Sequence, residues 1–193
     1  MNKYFLIFLF FLLGSSSYAQ FTSDIQWLKS RSGNTTDTIY YDQNKRLEWN
    51  DFKGKPDAGS TAAAITESGF GYRMSVESVN GRANMAITVF CYFTKKKSWV
   101  KAGMNTDYAL IHEQHHFDIT YLYACLFIQK LRTAHFTINN YASLVEKIHD
   151  ECFAELDKMQ DAYDGETKNG RVSKQQSIWN KKIDHQLGSL ITN

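Results

Sequence analysis

The chain has little of several residue types on which whole classes of protein depend. Its 193 residues include one proline and three cysteines, and its formal net charge at pH 7 is only +2. Nucleic-acid binders carry a basic surface, and so do proteins that bind anionic lipid by charge. A chain this close to neutrality lacks that surface, so we expect neither a nucleic-acid partner nor electrostatic binding to a membrane.

The three cysteines, Cys91, Cys125 and Cys152, do not have the C-x-x-C spacing typical of a cysteine zinc site. An odd count in an exported chain leaves at least one thiol free or bound to a partner. Cys125 and Cys152 could bridge two helices. Buried free thiols are an equal alternative, because cysteine packs as a small hydrophobe.

Only one long apolar run is present, at residues 4–13, and it follows Lys3 near the N-terminus. It is shorter than the roughly 20 apolar residues that span a bilayer. Ser17 and Ala19 then have the small-x-small spacing of a signal-peptide cleavage site. We therefore predict that residues 1–19 are a secretory signal peptide and that residues 20–193 form a single exported domain, periplasmic or extracellular, with no stable membrane span. An uncleaved anchor is the alternative.

The first half of the predicted domain has the pattern of strands. In residues 69–93, apolar residues alternate with smaller or polar ones on both sides of Asn80-Gly81. Asn-Gly favours the positive φ angles of a two-residue turn, so this stretch is predicted to be a β-hairpin. Residues 37–41 are rich in strand-forming side chains and are predicted to form another strand.

The second half has the pattern of helices. Apolar residues recur at three-to-four spacing, which predicts three helices, over residues 108–131, 141–163 and 173–187. Asn105 or Thr106 can cap the first, and Gly188 is placed to end the third. Strands followed by helices predict an α+β domain, in which an antiparallel sheet packs on a helical hairpin.

The stretch "LIHEQHHFDI", residues 110–119, holds three of the six histidines. His112, Glu113 and His116 form an H-E-x-x-H motif. At about 100° per residue, the two histidines lie about 40° apart and one turn apart, so both imidazoles can reach one ion. Glu113 lies about 80° from their mean direction, where it can contact a water on that ion without binding the ion itself.

The chemistry of the motif is hydrolysis at a carbonyl. Zinc lowers the pKa of a bound water to about 7, and a neighbouring carboxylate can take its proton and later return it to the leaving amine. Ile119, Tyr123 and Leu126 extend the histidine face, so the pair ends a buried stripe whose imidazoles need partners. We predict a Zn²⁺ site with the two histidines as ligands and Glu113 as the base. A polar stripe on an ordinary helix is the alternative.

The other polar residues of the stretch are weaker candidates for the metal site. His115 lies on the far side of His112 from Glu113, where it could line a cleft but is more simply a partly exposed neighbour. Asp118 points away from the two histidines by about 220°. We expect it to tie the helix to another element.

A catalytic zinc usually has three protein ligands. If the first two helices form an antiparallel hairpin that turns near Thr137, residues 158–161 return beside the motif. The following segment "DAYDGETKNG" then supplies the third ligand, for which Asp164 is preferred and Glu166 and Asp161 are alternatives. Glu155 lies one turn earlier as a reserve. For each acid singly, a polar helix end that binds no metal is the competing interpretation.

Several blocks together resemble a known family. They are "RLEWNDFKGKPDAGSTAAAITESG", "SWV", "HEQHHFDI" and "YDGETKNG" followed by Q-x-x-I-W. They are similar to the bacterial family of predicted secreted zinc-dependent proteases, also called domain of unknown function 922, over nearly all of residues 20–193. The resemblance implies a zincin-like metallopeptidase with His112 and His116 as ligands and Glu113 as catalytic base.

Two positions depart from the family pattern. Members often have a histidine where this chain has Asn169, and often an acid where it has Tyr121. If that histidine is a ligand in the family, Asp164 or Glu166 must replace it here.

We therefore expect a zinc metallopeptidase that hydrolyses peptide bonds in a peptide or protein substrate, held along a strand edge. Asn169 motivates one alternative, a non-catalytic binding or scaffold protein with a degenerate zincin fold. A zinc amidase that acts on cell-wall peptides is another, because the motif determines only the attack on a carbonyl.

Overall fold

The computed structural model describes residues 20–28, 37–80 and 82–191, so the predicted signal peptide lies outside the described residues. The described chain contains six strands and three α-helices, and the predicted α+β class is confirmed. The strands are β1 (Gln20–Trp27), β2 (Thr38–Tyr40), β3 (Ala64–Ile65), β4 (Ser68–Val79), β5 (Arg82–Thr94) and β6 (Trp99–Val100). The helices are α1 (Asp107–Thr133), α2 (Tyr141–Thr167) and α3 (Ser173–Ile191). Among the helices that the structure describes, none combines the length and apolar character needed to cross a bilayer.

The long strand β5 organises the main sheet. It pairs with β4 in the predicted hairpin, in which Val79 lies opposite Arg82 and Asn80 has a φ of 51°. Every second residue of β5, from Ala83 to Phe93, is buried. The predicted alternation of apolar side chains is therefore confirmed.

The prediction of a purely antiparallel sheet is wrong at one edge. β1 pairs with β5 in parallel, from Gln20 opposite Arg82 to Trp27 opposite Val89, and β2 continues along the same edge as an antiparallel strand. A parallel pair needs a long crossover rather than a tight turn. No local turn signal marks such a pairing, and sequence analysis assigned no strand to residues 20–27.

Helix α1 packs against the sheet and against both other helices. Thr106 caps it, because the Thr106 Oγ1 atom accepts a hydrogen bond from the Ala109 N–H at 3.1 Å. Its buried apolar residues pack with those of β5 in one hydrophobic core. Cys91 and Cys152 are buried and Cys125 is partly buried; all three are free thiols.

The ends of the other helices differ from the sequence prediction. α2 continues four residues beyond Tyr163, and Lys168 then takes a left-handed conformation with a φ of 55°. α3 continues past Gly188 to Ile191. A Cβ atom at Gly188 would meet nothing within 4 Å, so this glycine is an exposed helical position and does not end the helix.

The buried Asp118 ties α1 to the segment before β3, as predicted. It accepts hydrogen bonds from the Tyr41 hydroxyl and the Gln114 side-chain amide, both at 2.8 Å, and lies 3.4 Å from the Arg46 guanidinium. The Gln114 Oε1 atom also accepts from the Leu47 N–H at 2.7 Å. Burial raises the pKa of Asp118, although the charge of Arg46 and the two hydrogen bonds act to lower it. This network holds the helix in place from the side opposite the two motif histidines.

Candidate metal centre

His112 and His116 lie side by side on α1, and Asp164 from the last turn of α2 faces both. The two Nε2 atoms are 3.1 Å apart, and the Asp164 Oδ1 atom is 3.1 Å from each of them. The three atoms thus form a triangle with equal sides. A tetrahedral zinc ion with bonds of about 2.0–2.1 Å keeps its ligand atoms about 3.3–3.4 Å apart. The triangle therefore has the dimensions of one face of such a site, and the three residues form a group that could hold a metal ion.

The other ring nitrogens of both histidines face glutamine oxygens. His112 Nδ1 is 2.9 Å from Gln176 Oε1, and His116 Nδ1 is 2.5 Å from Gln160 Oε1. An oxygen acceptor at Nδ1 favours the tautomer with the imidazole proton on that atom. In that tautomer both Nε2 atoms present lone pairs, and together with the Asp164 carboxylate they would offer a cation three electron-pair donors.

Asp164 and the imidazoles shift one another's pKa values. Burial acts to raise the pKa of Asp164, but its hydrogen bonds to His112 and His116 outweigh burial and hold that pKa well below its usual range. For His116, burial acts to lower the pKa, and the contact with Asp164 and the charge of Glu113 raise it above its usual value. Both directions have the same cause, which is the attraction between the Asp164 carboxylate and the imidazoles.

Glu113 lies beside the triangle with an unused oxygen. The residue is 5% exposed, and among the described residues its Oε2 is the one buried side-chain oxygen or nitrogen with no hydrogen-bond partner. Burying a carboxylate oxygen without a partner is costly, so it calls for an explanation. A water held next to the triangle would supply the missing partner.

A cleft of about 670 Å³ opens onto these residues. One wall is the segment of residues 60–66, which contains β3, and the turn at residues 169–171 closes one end. The Thr66 hydroxyl donates to the Glu113 carbonyl at 3.1 Å and fixes this wall to α1. The opposite wall is one face of α2, formed by Phe153, Leu156, Asp157, Gln160 and Asp164.

The other acids considered from sequence do not join the triangle. Glu166 accepts a hydrogen bond from Trp179 Nε1 at 2.8 Å and so faces α3, and Glu155 pairs with Lys130 at 3.2 Å. Asp161 is exposed and does not line the cleft. Asp164 reaches the histidines because α2 stays helical beyond Tyr163, which places this residue one turn after Gln160 on the same face.

The expectation that His115 is partly exposed is wrong. It is 2% exposed, its Nδ1 donates to the Ile111 carbonyl at 2.8 Å, and its Nε2 lies 3.3 Å from Asp184 of α3. The docking of α3 over this side of α1 covers it. His115 therefore connects two helices and does not line the cleft.

The turn after α2, at residues 168–170, packs against the ring of His112. Asn169 lines the cleft and has a φ of 53°, and Gly170 has a φ of 76°. The Gly170 carbonyl accepts a hydrogen bond from the Tyr108 hydroxyl at 2.7 Å. A Cβ atom at Gly170 would lie 3.3 Å from His112 Cγ. The position therefore favours glycine for its backbone conformation and for its contact with the ring.

We expect Gly170→Ala to lower the free energy of unfolding by about 1–3 kcal/mol, because a left-handed backbone disfavours a side chain. It should also weaken metal binding, since the new methyl group presses on His112. Urea unfolding and metal titration measure the two effects. Gly165→Ala is the matched control: this glycine is inside α2 with nothing within 4 Å, so alanine should stabilise the helix by about 1 kcal/mol. Equal behaviour of the two variants would contradict the argument.

Three residues of the site were missed by sequence reasoning. They are Gln160, Gln176 and Tyr163, whose ring stacks on His112 with centroids 4.6 Å apart. The antiparallel pairing of α1 and α2 predicts that residues 158–161 lie beside the motif, and that signal could have found Gln160. No local pattern indicates Gln176, because it comes from α3.

Comparisons of the chain with models of known protein families, with curated proteins and with solved structures found no match.

Proposed function

We propose that this chain is an exported zinc-dependent metallopeptidase with a zincin-like fold, as its resemblance to the secreted protease family implies. One observation carries the proposal. The Asp164 carboxylate meets both motif histidines at 3.1 Å, and Glu113, whose Oε2 has no hydrogen-bond partner, lines the same cleft. A metal-binding triad and a candidate base therefore open onto the same cleft.

His112, His116 and Asp164 would hold the metal, and two imidazoles with one carboxylate are a donor set of catalytic zinc sites. Zinc bound there polarises the substrate carbonyl and lowers the pKa of a bound water. The same donor set also suits Fe(II) in oxygen-activating enzymes. Those centres do not use a carboxylate next to the ligands as a base, whereas zinc-assisted hydrolysis by an H-E-x-x-H motif does, so Glu113 favours zinc.

Glu113 would act as general base and then as general acid. Its carboxylate would take a proton from the attacking water as the C–O bond forms at the substrate carbonyl. The same carboxylate would return the proton to the amide nitrogen as the C–N bond breaks, which releases an amine and a carboxylic acid. The low exposure of Glu113 keeps bulk water from competing for this proton.

The wall of the cleft opposite α2 suits an extended peptide. Within the described residues, β3 pairs with β6 and with no other strand, and the segment around it lines the cleft together with His112 and Glu113. A strand with one free edge can bind an extended chain by adding it to the sheet. The backbone of a peptide would then lie across the metal-ligating atoms, which supports a peptidase.

Asp164 lies in the triangle, and this affects how the departure from the family pattern at Asn169 is interpreted. Three potential ligand atoms are in place without a contribution from residue 169, so the chain does not need the family's histidine to bind a metal. This favours an active enzyme over a degenerate scaffold.

The purified protein is expected to contain one zinc per chain by elemental analysis and to cleave casein. Removal of the metal with a chelator should abolish cleavage, and added zinc should restore it, because the attack depends on the ion. Cell-wall fragments provide the parallel substrate, and cleavage of these but not of casein would identify an amidase. A folded protein that contains no zinc and binds none when it is added would refute the proposal.

A further inference from the structure

We propose that Gln160 and Gln176 are positioning residues, which hold the two motif histidines in the one tautomer that can bind a metal. The inference rests on the proposed metal site and adds to it a pair of residues outside the H-E-x-x-H motif. It assigns a function to two neutral amides that lie on two different helices, α2 and α3.

Each motif ring contacts the side-chain amide of one glutamine. A neutral imidazole has one N–H, and each motif ring has an acceptor at both nitrogens, a glutamine oxygen at Nδ1 and Asp164 at Nε2. The Gln176 oxygen meets His112 Nδ1 at 2.9 Å, and the Gln160 oxygen meets His116 Nδ1 at 2.5 Å. The glutamines thus favour the proton on Nδ1, which leaves the lone pair of Nε2 for a cation.

Neither side-chain amide can flip without losing hydrogen bonds. The Gln160 NH₂ group donates to the His116 carbonyl at 2.9 Å and to Thr120 Oγ1 at 3.3 Å. The Gln176 NH₂ group donates to the Tyr163 hydroxyl at 2.5 Å and to Asn180 Oδ1 at 2.6 Å. A flipped amide would present N–H to N–H at the histidine and lose these bonds, so the oxygen is fixed toward the ring.

Gln176 is buried against His112. It is 1% exposed, so no water can take the place of its oxygen at His112. Its NH₂ group bonds the hydroxyl of Tyr163, which stacks on His112 and donates to the His112 carbonyl at 3.3 Å. A buried ring with no acceptor at Nδ1 can carry its proton on Nε2 instead, and a protonated nitrogen cannot bind a metal.

Because Gln176 belongs to α3, metal binding and the docking of this helix are coupled. Whatever favours the docked helix favours the competent tautomer of His112, and a bound ion in turn favours the docked helix by linkage. Trp179 and Ile183, both buried, hold α3 in place at this position. Zinc is therefore expected to slow hydrogen exchange of the α3 amides more than that of β4.

The test is to replace each glutamine by methionine, which keeps the length of the side chain and removes the acceptor. Outer-shell partners of metal-binding histidines typically contribute 10- to 100-fold to affinity. Gln160→Met and Gln176→Met are each expected to weaken zinc binding by that factor in competition with a chromophoric chelator. Gln160 is half-buried at the cleft wall, so its variant is the one most certain to fold.

Gln114→Met is the matched control. This glutamine is also buried and comes between the two histidines in sequence, but it faces the opposite side of α1, where it bonds Leu47 and Asp118 and neither ring. Its replacement should lower stability and leave the zinc affinity within about twofold, since it touches no ligand. Equal losses of affinity in all three variants would reduce the effect to general destabilisation and overturn the proposal.

The tautomers give a second readout that needs no metal. In the zinc-free protein at alkaline pH, ring ¹⁵N shifts report which nitrogen carries the proton. Gln176→Met should change the tautomer of His112 alone, and Gln160→Met that of His116 alone. Unchanged tautomers and unchanged affinity would refute the positioning role while zinc binding by the unaltered protein still stands. Absence of zinc binding in the unaltered protein would instead refute the proposed function.

Discussion

Replacement of Glu113 by glutamine is expected to lower kcat for peptide hydrolysis by about 10²–10⁴-fold, the usual contribution of a general base, and to leave one zinc bound per chain. The amide has the shape of the carboxylate but cannot take the proton of the attacking water. Glu113 is not part of the triangle of potential ligand atoms, so its loss should not release the metal. Hydrolysis assays and elemental analysis of the same preparation measure the two parts of the prediction.

The variant should also be more stable than the unaltered protein when both are free of metal. A buried carboxylate oxygen with no partner lowers stability, and a neutral amide loses less on burial. An increase in the midpoint of urea unfolding would show that the site gives up stability for its function.

Glu166→Gln is the matched control for Glu113→Gln. Its carboxylate bonds Trp179 Nε1 and faces α3, so kcat should be unchanged and only a modest loss of stability is expected. If Glu113→Gln retained full activity, the assignment of the base would be wrong. If it lost zinc, Glu113 would be a ligand of the metal.

The second large effect is expected for Asp164→Asn. This change removes the one negatively charged corner of the triangle and leaves two imidazoles to hold the ion. We expect zinc affinity to fall by more than the 10- to 100-fold that outer-shell partners contribute, because a direct ligand is lost. Competition with a chelator measures the affinity, and cleavage of casein at limiting zinc should fall in parallel.

Asp161→Asn and Glu166→Gln are the controls for the third ligand, because sequence reasoning kept both acids as alternatives. Neither contacts the histidines, so both variants should bind zinc within about twofold of the unaltered protein. A variant of Asp161 or Glu166 that lost zinc while Asp164→Asn retained it would move the third ligand to that residue.

The pair of histidines shows which part of the site could be predicted from the sequence. Their spacing of four residues places both on one face of any helix, and the apolar period around them predicts that helix. Neither inference depends on where the rest of the chain lies. For the same reason the β4–β5 hairpin followed from its alternation and from Asn80-Gly81.

The choice among the three acids shows what the sequence left open. In a helix, Asp161 and Glu166 lie about 60° and 160° around the axis from Asp164, so the rotation of α2 against α1 decides which acid faces the histidines. That rotation is set by packing across the core. The polar composition after Tyr163 suggested a loop, whereas α2 continues to Thr167, which is buried.

By itself, the sequence determined the features that repeat along the chain: the α+β division, the hairpin, the helices, and the pair of histidines with Glu113 beside them. Only the tertiary structure decided which distant residues complete the site. It brought Asp164 from α2 and the segment around β3 to the same cleft, and it placed Gln176 from α3 against His112. Local periodicity depends only on residues that are close in sequence. Contacts between elements depend on how whole faces pack, and the sequence does not distinguish chemically equivalent side chains on those faces.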